Sequence, residues 1–524
     1  MTTDVDAVVI GGGTSGVATL KCLLDAGLTA VVVERTADVG GLWKFREHDY
    51  GVMSFTHVNV SKHNYCFSDF PFPDDVPDFP HNTIMAQYIS DYVDHFGLRE
   101  HIRFQKMVLK VERVDGIWLT HIKHVEDDGK TVKQSEDEEV IRSKFVAIAS
   151  GHHAKPNIVE FPGQETFTGK IVHSVSFNDA MSNGITGSRV LVVGLGNSAV
   201  DIAEHCATVG RCKPVYISSR SGAWIAPNYI FGNPLDLYAC RFLFKLPWRL
   251  QNFIAETVLK IVFGDPRKWN LNPNMKALST QPTISSTLVH HIQRREIVLV
   301  PNIERIADNK VMFMDGTQAE FDNIILCTGY KIDLPYLEDR VRNVVLDDEH
   351  NTIKLYKSVF SPDIGRSLAF IGFVQPSSGG VILMSEMQAR WLAEICKGRV
   401  KLPSEREMRS AMELEKKQNA YKYYNCAGHT MQRDPLVYND DIAELIGAKP
   451  SLLRFPGLAW RLLMSSCGAC QWRLQGPNKW VGAIEAVKKV PMTDLMNYLG
   501  LTLFFVGVVL LLYICKVFVD MCWT

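Results

Sequence analysis

The 524-residue sequence has no surplus of charge of either sign, because 56 Lys and Arg residues are matched by 57 Asp and Glu residues. Without a basic excess, nucleic-acid binding is not expected. Cysteine is sparse, at 12 residues spread along the chain, and no charged-then-apolar leader precedes Asp4. Both features exclude a small secreted domain built on disulfides and favour a reducing environment facing the cytosol.

The chain also lacks low-complexity tracts and short tandem repeats. With 46% hydrophobic and 22% charged residues, its composition excludes a disordered protein and is sufficient for large cores. The length predicts about three domains.

Charged residues are absent from Leu499 to Cys515, and the apolar character resumes after Lys516. A helix of about 20 apolar residues is long enough to cross the hydrocarbon core of a bilayer. We therefore expect a C-terminal membrane anchor over residues 499–519, in contact with membrane lipid and with the rest of the chain in the cytosol. The alternative is a C-terminal helix buried in a protein core.

A dinucleotide-binding pattern opens the chain. A short apolar strand precedes a glycine-rich turn and a helical pattern, and a second strand then ends in Glu34. In such a pattern the first glycine makes the tight turn, the second admits the pyrophosphate, the third packs the helix, and the acid binds a ribose hydroxyl. The residues of this predicted site are Gly11, Gly12, Gly13, Thr14, Ser15, Gly16 and Glu34.

The same pattern returns after the strand Arg189–Val193, but its second strand ends in Ser219 and Arg220 rather than in an acid. An arginine at this position accommodates a 2′-phosphate, so the second nucleotide is predicted to be NADP. The alternative for Arg220 is an ordinary surface arginine. The predicted NADP residues are Gly194, Gly196, Asn197, Ser198, Ser219 and Arg220.

Two such motifs predict an α/β protein with two nested Rossmann-like domains and a C-terminal apolar membrane helix. One nucleotide domain is interrupted by the other and resumes after about residue 330. Aromatic and basic residues alternate in an insertion, interpreted either as a helical subdomain with its own core or as a membrane-surface or substrate-entry element. The predicted segments are 1–165 (FAD-binding, first part), 166–330 (NADP-binding, with the insertion at 223–276), 331–445 (FAD-binding, resumed), 446–498 (membrane-proximal helices) and 499–519 (anchor).

The segment between the two glycine-rich turns carries the decisive motif. Residues 167–177 have the form FxGxxxHxxxF, which resembles the identifying sequence of flavin-containing monooxygenases. Ala199 departs from the glycine of many relatives but remains small. Phe177-Asn178 replaces the Trp-Pro of the related Baeyer–Villiger oxygenases. Further matches, covering essentially the whole chain, are Gly40-Gly41-Leu42-Trp43, Asn59-Val60-Ser61-Lys62, Cys66–Pro71, Cys327–Tyr330, Gln375-Pro376 and, as in the microsomal animal branch, Arg473–Pro477.

The resemblance implies an NADPH- and O₂-dependent flavoprotein with bound FAD that oxygenates soft nitrogen or sulfur nucleophiles through a flavin hydroperoxide. It also implies an endoplasmic reticulum membrane location. The alternatives are a Baeyer–Villiger-type oxygenase and an NADPH oxidase that releases H₂O₂. No metal site is expected, and the sequence is compatible with a homo-oligomer.

The resemblance further implies a catalytic role for Asn59, whose amide faces the flavin, NADP⁺ and oxygen. An amide suits that role because it donates and accepts without titrating. Without the family match, a turn-forming asparagine is the better interpretation. The remaining predicted FAD contacts are Gly41, Leu42, Trp43, Val60 and Gln375. The alternative for Leu42 and Trp43 is core packing, and the alternative for Gln375 is a turn before Pro376.

Two residue types invite other interpretations. His173 lies in the identifying motif and is either a general base or, as we favour, a structural hydrogen-bonding residue. Cys467 and Cys470 form a CxxC, which raises the possibility of an FAD- and NADPH-dependent disulfide reductase. This pair follows both nucleotide motifs by a long stretch of sequence, so structural cysteines are expected instead.

Overall fold

The computed structural model describes residues 2–47, 49–135, 137–424 and 431–522. Residues 425–430 of the predicted segment 331–445 therefore lie outside it. Its strands, in chain order, are β1 (Thr2–Ile10), β2 (Ala30–Val33), β3 (Ile102–Arg103), β4 (Lys106–Val114), β5 (Ile117–His124), β6 (Glu139–Ile148), β7 (Lys155–Pro156), β8 (Lys170–His173), β9 (Val190–Val193), β10 (Val215–Ser218), β11 (Ile225–Ala226), β12 (Tyr229–Ile230), β13 (Asn233–Pro234), β14 (Thr283–Ile284), β15 (Ile297–Val300), β16 (Ile303–Ala307), β17 (Lys310–Phe313), β18 (Gln318–Glu320), β19 (Asn323–Leu326), β20 (Tyr330–Lys331), β21 (Leu346–Asp347), β22 (Thr352–Ile353), β23 (Leu368–Phe370), β24 (Gln375–Pro376) and β25 (Gln432–Arg433).

The α-helices of the same residues are α1 (Thr14–Asp25), α2 (Asn82–His95), α3 (Asn197–Ala207), α4 (Arg241–Phe244), α5 (Trp248–Phe263), α6 (Leu288–Gln293), α7 (Asp339–Val345), α8 (Val381–Cys396), α9 (Glu405–Lys422), α10 (Pro435–Leu445), α11 (Ala459–Met464), α12 (Ala483–Lys489) and α13 (Asp494–Cys522).

The first sheet has seven strands in the order β3-β2-β1-β6-β5-β4, and β23 pairs with β6. Strands β3, β2, β1 and β6 are parallel to one another, whereas β5 is antiparallel to both β6 and β4. The end of β1, Ala7–Ile10, is buried and wholly apolar because neighbouring strands cover its edges and helices cover its face. Helix α1 packs against α8. The first glycine-rich turn connects β1 to α1 and therefore lies at the carboxyl end of β1.

The second sheet has five parallel strands in the order β15-β10-β9-β19-β8. Val193 at the end of β9 is paired with Ser218 of β10 and with Leu326 of β19. The carboxyl ends of these three strands therefore lie at one edge, the edge at which ligands bind in open α/β sheets. The predicted two-sheet α/β organisation is observed, whereas the limits of the individual domains remain a prediction.

The insertion 223–276 does not enclose a core of its own, contrary to one of the two interpretations of its sequence. Its one small cluster joins Cys240 to Met464 of helix α11, and Leu271 belongs to the core of the second sheet. Asn252, at 4% exposure, is the only buried residue of helix α5. The insertion therefore packs on neighbouring elements.

Helix α13 covers the segment 499–519 for which a membrane anchor is predicted. The side chains of residues 494–497, 499, 501, 503, 504 and 517–522 lie outside the described part of the structure. Among the residues that the structure does describe, no helix is both long enough and apolar enough to cross a membrane.

Candidate functional site

The first glycine-rich turn connects β1 to α1 through contacts that exclude side chains. Gly11 has φ +104°, and a Cβ there would lie 2.7 Å from the carbonyl oxygen of Ala149. A Cβ on Gly16 would lie 1.8 Å from the carbonyl oxygen of Gly11. Both positions therefore require glycine for the strand-to-helix connection itself.

Gly13 is different, because a Cβ there would make only ordinary van der Waals contact with the backbone of Gly41. The nearest heavy atom to a Cβ at Gly13 would be the Cα of Gly41, at 3.5 Å. The N-terminus of α1, which begins with Thr14 and Ser15, has no side-chain cap. A cradle lined by backbone with unpaired helix N–H groups fits a pyrophosphate.

Glu34 follows β2 and is buried beside this turn. One carboxylate oxygen accepts a hydrogen bond from the amide of Gly12 at 2.6 Å. The other accepts from the amide and hydroxyl of Thr36 at 2.8 and 2.7 Å. Glu34 thus fixes the turn and stands at the position predicted for a ribose contact.

The second glycine-rich turn repeats this geometry between β9 and α3. Gly194 has φ +119°, and a Cβ there would lie 2.5 Å from the carbonyl oxygen of Cys327. A Cβ on Gly196 would have no heavy atom of the described residues within 4 Å. Asn197 opens α3 and accepts a hydrogen bond from the amide of Ile284 at 2.8 Å. This second turn presents an open backbone face at Gly196.

The end of β10 carries Ser219 and Arg220. The hydroxyl of Ser219 accepts a hydrogen bond from the amide of Gly222 at 3.1 Å. Arg220 is exposed and forms no hydrogen bond or ion pair with any other described residue. Its guanidinium is thus available to an anionic ligand.

A cavity of about 1560 Å³ brings many of the predicted residues together. The second glycine-rich turn, including Ser198, lines one part of it with Ser219 and Arg220, and Leu42, Trp43, Asn59 and Gln375 line another. The volume exceeds that of a typical single-ligand pocket and is large enough for a dinucleotide together with a substrate. The cavity lining does not include residues 11–16, Glu34 or the buried Val60.

Asn59 is half-buried on the cavity wall, and its side chain has no hydrogen-bond partner among the residues that the structure describes. Its neighbours are held firmly. The amide of Val58 donates to the carbonyl of Pro80 at 2.9 Å, and the amide of Lys62 donates to that of Asp78 at 2.7 Å. The Asn59 amide is therefore free on a fixed segment.

Other side chains of the wall have partners. The ring of Trp43, which follows Gly41 and Leu42, packs edge-to-face on Tyr65 with centroids 5.5 Å apart. The amide nitrogen of Gln375 donates to the side-chain oxygen of Gln281 at 2.7 Å, and both glutamines line the cavity. These contacts fix the orientation of the Trp43 ring and of the Gln375 side chain on the cavity wall.

The hydrogen bonds of His173 indicate a structural role. Its Nδ1 accepts a hydrogen bond from the amide of Val175 at 3.1 Å, and its Nε2 lies 3.1 Å from the carbonyl oxygen of Gly329. Burial lowers the pKa of His173. A neutral imidazole with both nitrogens engaged has no site left for proton abstraction.

The structure adds residues that sequence reasoning missed. His152 follows β6, and neither of its buried ring nitrogens has a well-formed hydrogen bond within the described chain. Burial lowers the pKa of His152 well below its usual range, so the ring is neutral. On the cavity wall, burial and the Glu204 carboxylate raise the pKa of Asp201 to about 7. The position of His152 just after a central strand was the available sequence signal.

The CxxC does not lie at the cavity. Cys467 belongs to a small apolar cluster near the C-terminus, and the buried thiol of Cys470 contacts Cys66. Among the described residues, the cavity is lined by one cysteine, Cys327, whose thiol pKa is raised by burial. A disulfide reductase needs a reactive dithiol beside its flavin, and this arrangement does not provide one.

Known proteins match this chain along almost its full length. A family model described as flavin-binding monooxygenase-like matches residues 5–494. Flavin-containing monooxygenase 5 of Cavia porcellus is 35% identical over 503 residues, which cover 91% of this chain and 90% of the relative. A dimethylaniline monooxygenase (N-oxide-forming) 2 of Rattus norvegicus is 34% identical over 504 residues, with 91% and 90% coverage.

Solved structures show the same fold. S-allyl-L-cysteine S-oxygenase from Allium sativum superposes with a TM-score of 0.61 at 22% identity, covering 85% of this chain and 89% of that one. A structure of OTEMO in complex with FAD and NADP superposes with a TM-score of 0.62 at 16% identity, covering 84% and 97%. The predicted resemblance is confirmed. The chain belongs to the flavin-binding monooxygenase-like family and is a flavin-dependent monooxygenase.

Proposed function

We propose that the protein uses FAD, NADPH and O₂ to oxygenate soft nitrogen or sulfur nucleophiles. The observation that carries the proposal is the shared cavity, which combines a free amide at Asn59 with the open second glycine-rich turn and the unpaired Arg220. Reduced flavin, when bound, supplies the activated oxygen. The residues of this chain bind the cofactors, orient them and control the access of water.

FAD is proposed to lie along the first glycine-rich turn. The backbone face at Gly13 and the uncapped start of α1 would hold the pyrophosphate, and Glu34 would bind a ribose hydroxyl. Glu34 retains acceptor capacity for this contact, since among the described residues its Oε2 accepts one hydrogen bond only, from the amide of Gly12.

NADPH is proposed to lie along the second turn, with its 2′-phosphate at Arg220 and Ser219. Gly196 leaves room for the pyrophosphate, and α3 begins there without a side-chain cap. A guanidinium offers two parallel donors to a phosphate, which a neutral strand end could not.

The Asn59 amide is proposed to donate hydrogen bonds to the oxygen-bearing group, while Leu42 and Trp43 exclude water and Gln375 supplies a second polar contact. The choice of nitrogen substrates rests on a relative that is named for N-oxide formation. Sulfur nucleophiles are included on the family resemblance, since the S-oxygenase from Allium sativum, at 22% identity, shares the fold alone. Cyclohexanone monooxygenase shares the fold alone, at 17% identity and a TM-score of 0.61.

We also propose membrane association at the endoplasmic reticulum through α13. Its apolar side chains are unusually exposed, among them Phe505 at 62%, Leu512 at 64% and Tyr513 at 66%. Such a surface needs an apolar environment. Phe253 and Ile261 of α5 are similarly exposed beside basic Lys260 and would add an interfacial contact.

A product screen tests the proposal. Purified protein with FAD, NADPH and O₂ is offered a tertiary amine, a thioether and a cyclic ketone, and N-oxide, S-oxide, ester and H₂O₂ are quantified together. N-oxide or S-oxide in proportion to NADPH consumed is the expected result. Ester would indicate a Baeyer–Villiger oxygenase, and H₂O₂ alone an NADPH oxidase.

A further inference from the structure

Asp236 is a buried carboxylate of the insertion whose hydrogen bonds all lead to the segment that carries Asn59. One oxygen accepts from the amide of Ser61 at 3.0 Å. The other accepts from the hydroxyl of Ser61 at 2.6 Å and from the side-chain amide of Asn64 at 2.7 Å. Among the described residues no cation pairs with it, and the residue is 9% exposed.

A buried carboxylate without a counter-ion is a poor stabilising device, because desolvation of the charge is costly. Burial accordingly raises the pKa of Asp236, against the opposing effect of its hydrogen bonds to Ser61 and Asn64. What a carboxylate offers here is acceptor capacity. It satisfies three donors of one short segment at once, which an asparagine cannot do.

The insertion also supports the same segment indirectly, through residues 78–80. Asp78 and Pro80 accept backbone hydrogen bonds from Lys62 and Val58, on either side of Asn59. The hydroxyl of Tyr229, in the insertion, donates to Asp78 at 3.0 Å, and its ring packs edge-to-face on Phe79 with centroids 5.1 Å apart. The Asn59 segment is therefore held by the insertion and by residues 78–80.

Asn59 itself has no such tether. It lies two residues before Ser61, whose amide and hydroxyl are both fixed by Asp236, and its own amide is free in the cavity. The direction of that amide thus depends on the backbone that Asp236 holds.

We propose that Asp236 is a positioning residue of the oxygenation reaction, which holds Ser61 so that the Asn59 amide faces the cavity. The inference rests on the proposed function of Asn59. It assigns to the insertion a part in controlling how much NADPH oxidation yields oxygenated product rather than H₂O₂.

The test compares Asp236→Asn with Asp440→Asn in the full-length holoenzyme. Asp440 is a matched control, because it also joins the insertion to the rest of the chain, through two 2.7 Å hydrogen bonds from Arg241, but does not contact the Asn59 segment. We expect Asp236→Asn to keep its FAD and its rate of flavin reduction by NADPH, while the ratio of product to H₂O₂ falls about tenfold. Asp440→Asn should lower Tm and leave this ratio unchanged.

A double variant shows whether Asp236 acts through Asn59. Once Asn59 is alanine, adding Asp236→Asn should not lower the ratio of product to H₂O₂ further. Two independent losses that multiply would overturn the proposal, as would an Asp236→Asn ratio equal to that of Asp440→Asn.

The single variant Asn59→Ala distinguishes a failure of this inference from a failure of the proposed function. If Asn59→Ala leaves the ratio unchanged, the role of Asn59 is wrong; if it lowers the ratio and Asp236→Asn does not, only the role of Asp236 is wrong. Should Asp236→Asn fail to fold, Ser61→Ala replaces it, since it removes one of the three hydrogen bonds. An unchanged ratio in folded Ser61→Ala contradicts the proposal.

Discussion

The guanidinium of Arg473 lies 2.5 Å from the carboxylate of Glu386, and neither side chain is more than 1% exposed. The same guanidinium lies 2.9 Å from Asp69, which is itself 2.7 Å from Lys21 of α1. The C-terminal segment before α13 therefore contributes a charge to the centre of the first sheet's helical layer. Removing one partner of such a buried set costs about 3–5 kcal/mol, because the remaining charges are left unpaired.

This arrangement predicts different results for two truncations. A chain ending at Met496 keeps Arg473, so it should fold, bind FAD and leave the membrane fraction in mild salt. A chain ending at Trp472 leaves Glu386 and Asp69 without Arg473 and should be unfolded or free of flavin. Flavin absorbance and membrane flotation measure both. Continued flotation of the Met496 truncation would point to α5 as a sufficient membrane contact, and flavin loss in it would contradict our account.

Gly13→Val should give a colourless protein. The valine side chain would occupy the backbone face that we assign to the pyrophosphate, whereas its Cβ would make only ordinary van der Waals contact with Gly41. The matched control is Gly457→Val, at an exposed glycine with no described neighbour within 4 Å of the Cβ position. Flavin content per protein and Tm are measured for both. Stoichiometric FAD in folded Gly13→Val would place the cofactor elsewhere.

Arg220→Ala should weaken the preference for NADPH over NADH. Loss of a charge-assisted hydrogen bond to the 2′-phosphate costs about 1.5–3 kcal/mol, so kcat/KM for NADPH should fall while that for NADH stays the same. Arg454→Ala, another exposed arginine, is the control. An unchanged cofactor preference in Arg220→Ala would show that the phosphate is recognised by another group.

Asn59→Ala should uncouple the reaction without slowing NADPH oxidation. Flavin reduction depends on the stacking of the cofactors rather than on this amide, whereas the oxygenation step loses a hydrogen bond worth about 1–3 kcal/mol in a dry site. Product and H₂O₂ are quantified per NADPH consumed, and reoxidation of the reduced flavin by O₂ is followed in a stopped-flow mixer. Equal reoxidation kinetics in variant and parent would mean that Asn59 is only a turn residue.

Stability should fall with rising pH because of Asp201. The folded chain keeps this proton up to pH about 7, whereas an unfolded aspartate releases it near pH 3.9. Between these values the folded state binds more protons, so stability decreases as pH rises and the loss is complete above pH 7. Asp201→Asn should therefore gain Tm over the parent at pH 8 but not at pH 4. Glu204→Gln removes one cause of the raised pKa and should shift this window to lower pH; a pH-independent Tm difference for Asp201→Asn would refute the assignment.

Much of the fold could be predicted from local sequence. Gly11, Gly16 and Gly194 stand where a Cβ would strike backbone, and such positions leave a clear signature in a single sequence. The buried parallel strands read as continuous apolar runs because both faces of their sheets are covered. Glu34 could be predicted because it directly follows β2, and Arg220 because it lies two residues after the end of β10.

The contacts that orient Asn59 could not be predicted in this way. Ser61 and Asp236 are 175 residues apart, and no periodicity or turn signal connects them. His152 and Asp201 were missed because their burial arises from surrounding elements rather than from their own neighbours. The aromatic residues of the insertion suggested self-packing as one interpretation, whereas Cys240 packs against Met464.

The pairing of β23 with β6 sets an order on folding during synthesis. Phe370 of β23 pairs with Ile148 of β6, and this part of the β6 edge stays unpaired until the whole five-stranded sheet has been synthesised. The strands of that sheet lie between β6 and β23 in the chain. Within the interposed sheet, β19 must likewise insert between β9 and β8 after both exist. A nascent chain released before residue 370 would expose an unpaired strand edge, the kind of surface that chaperones cover and that aggregates recruit.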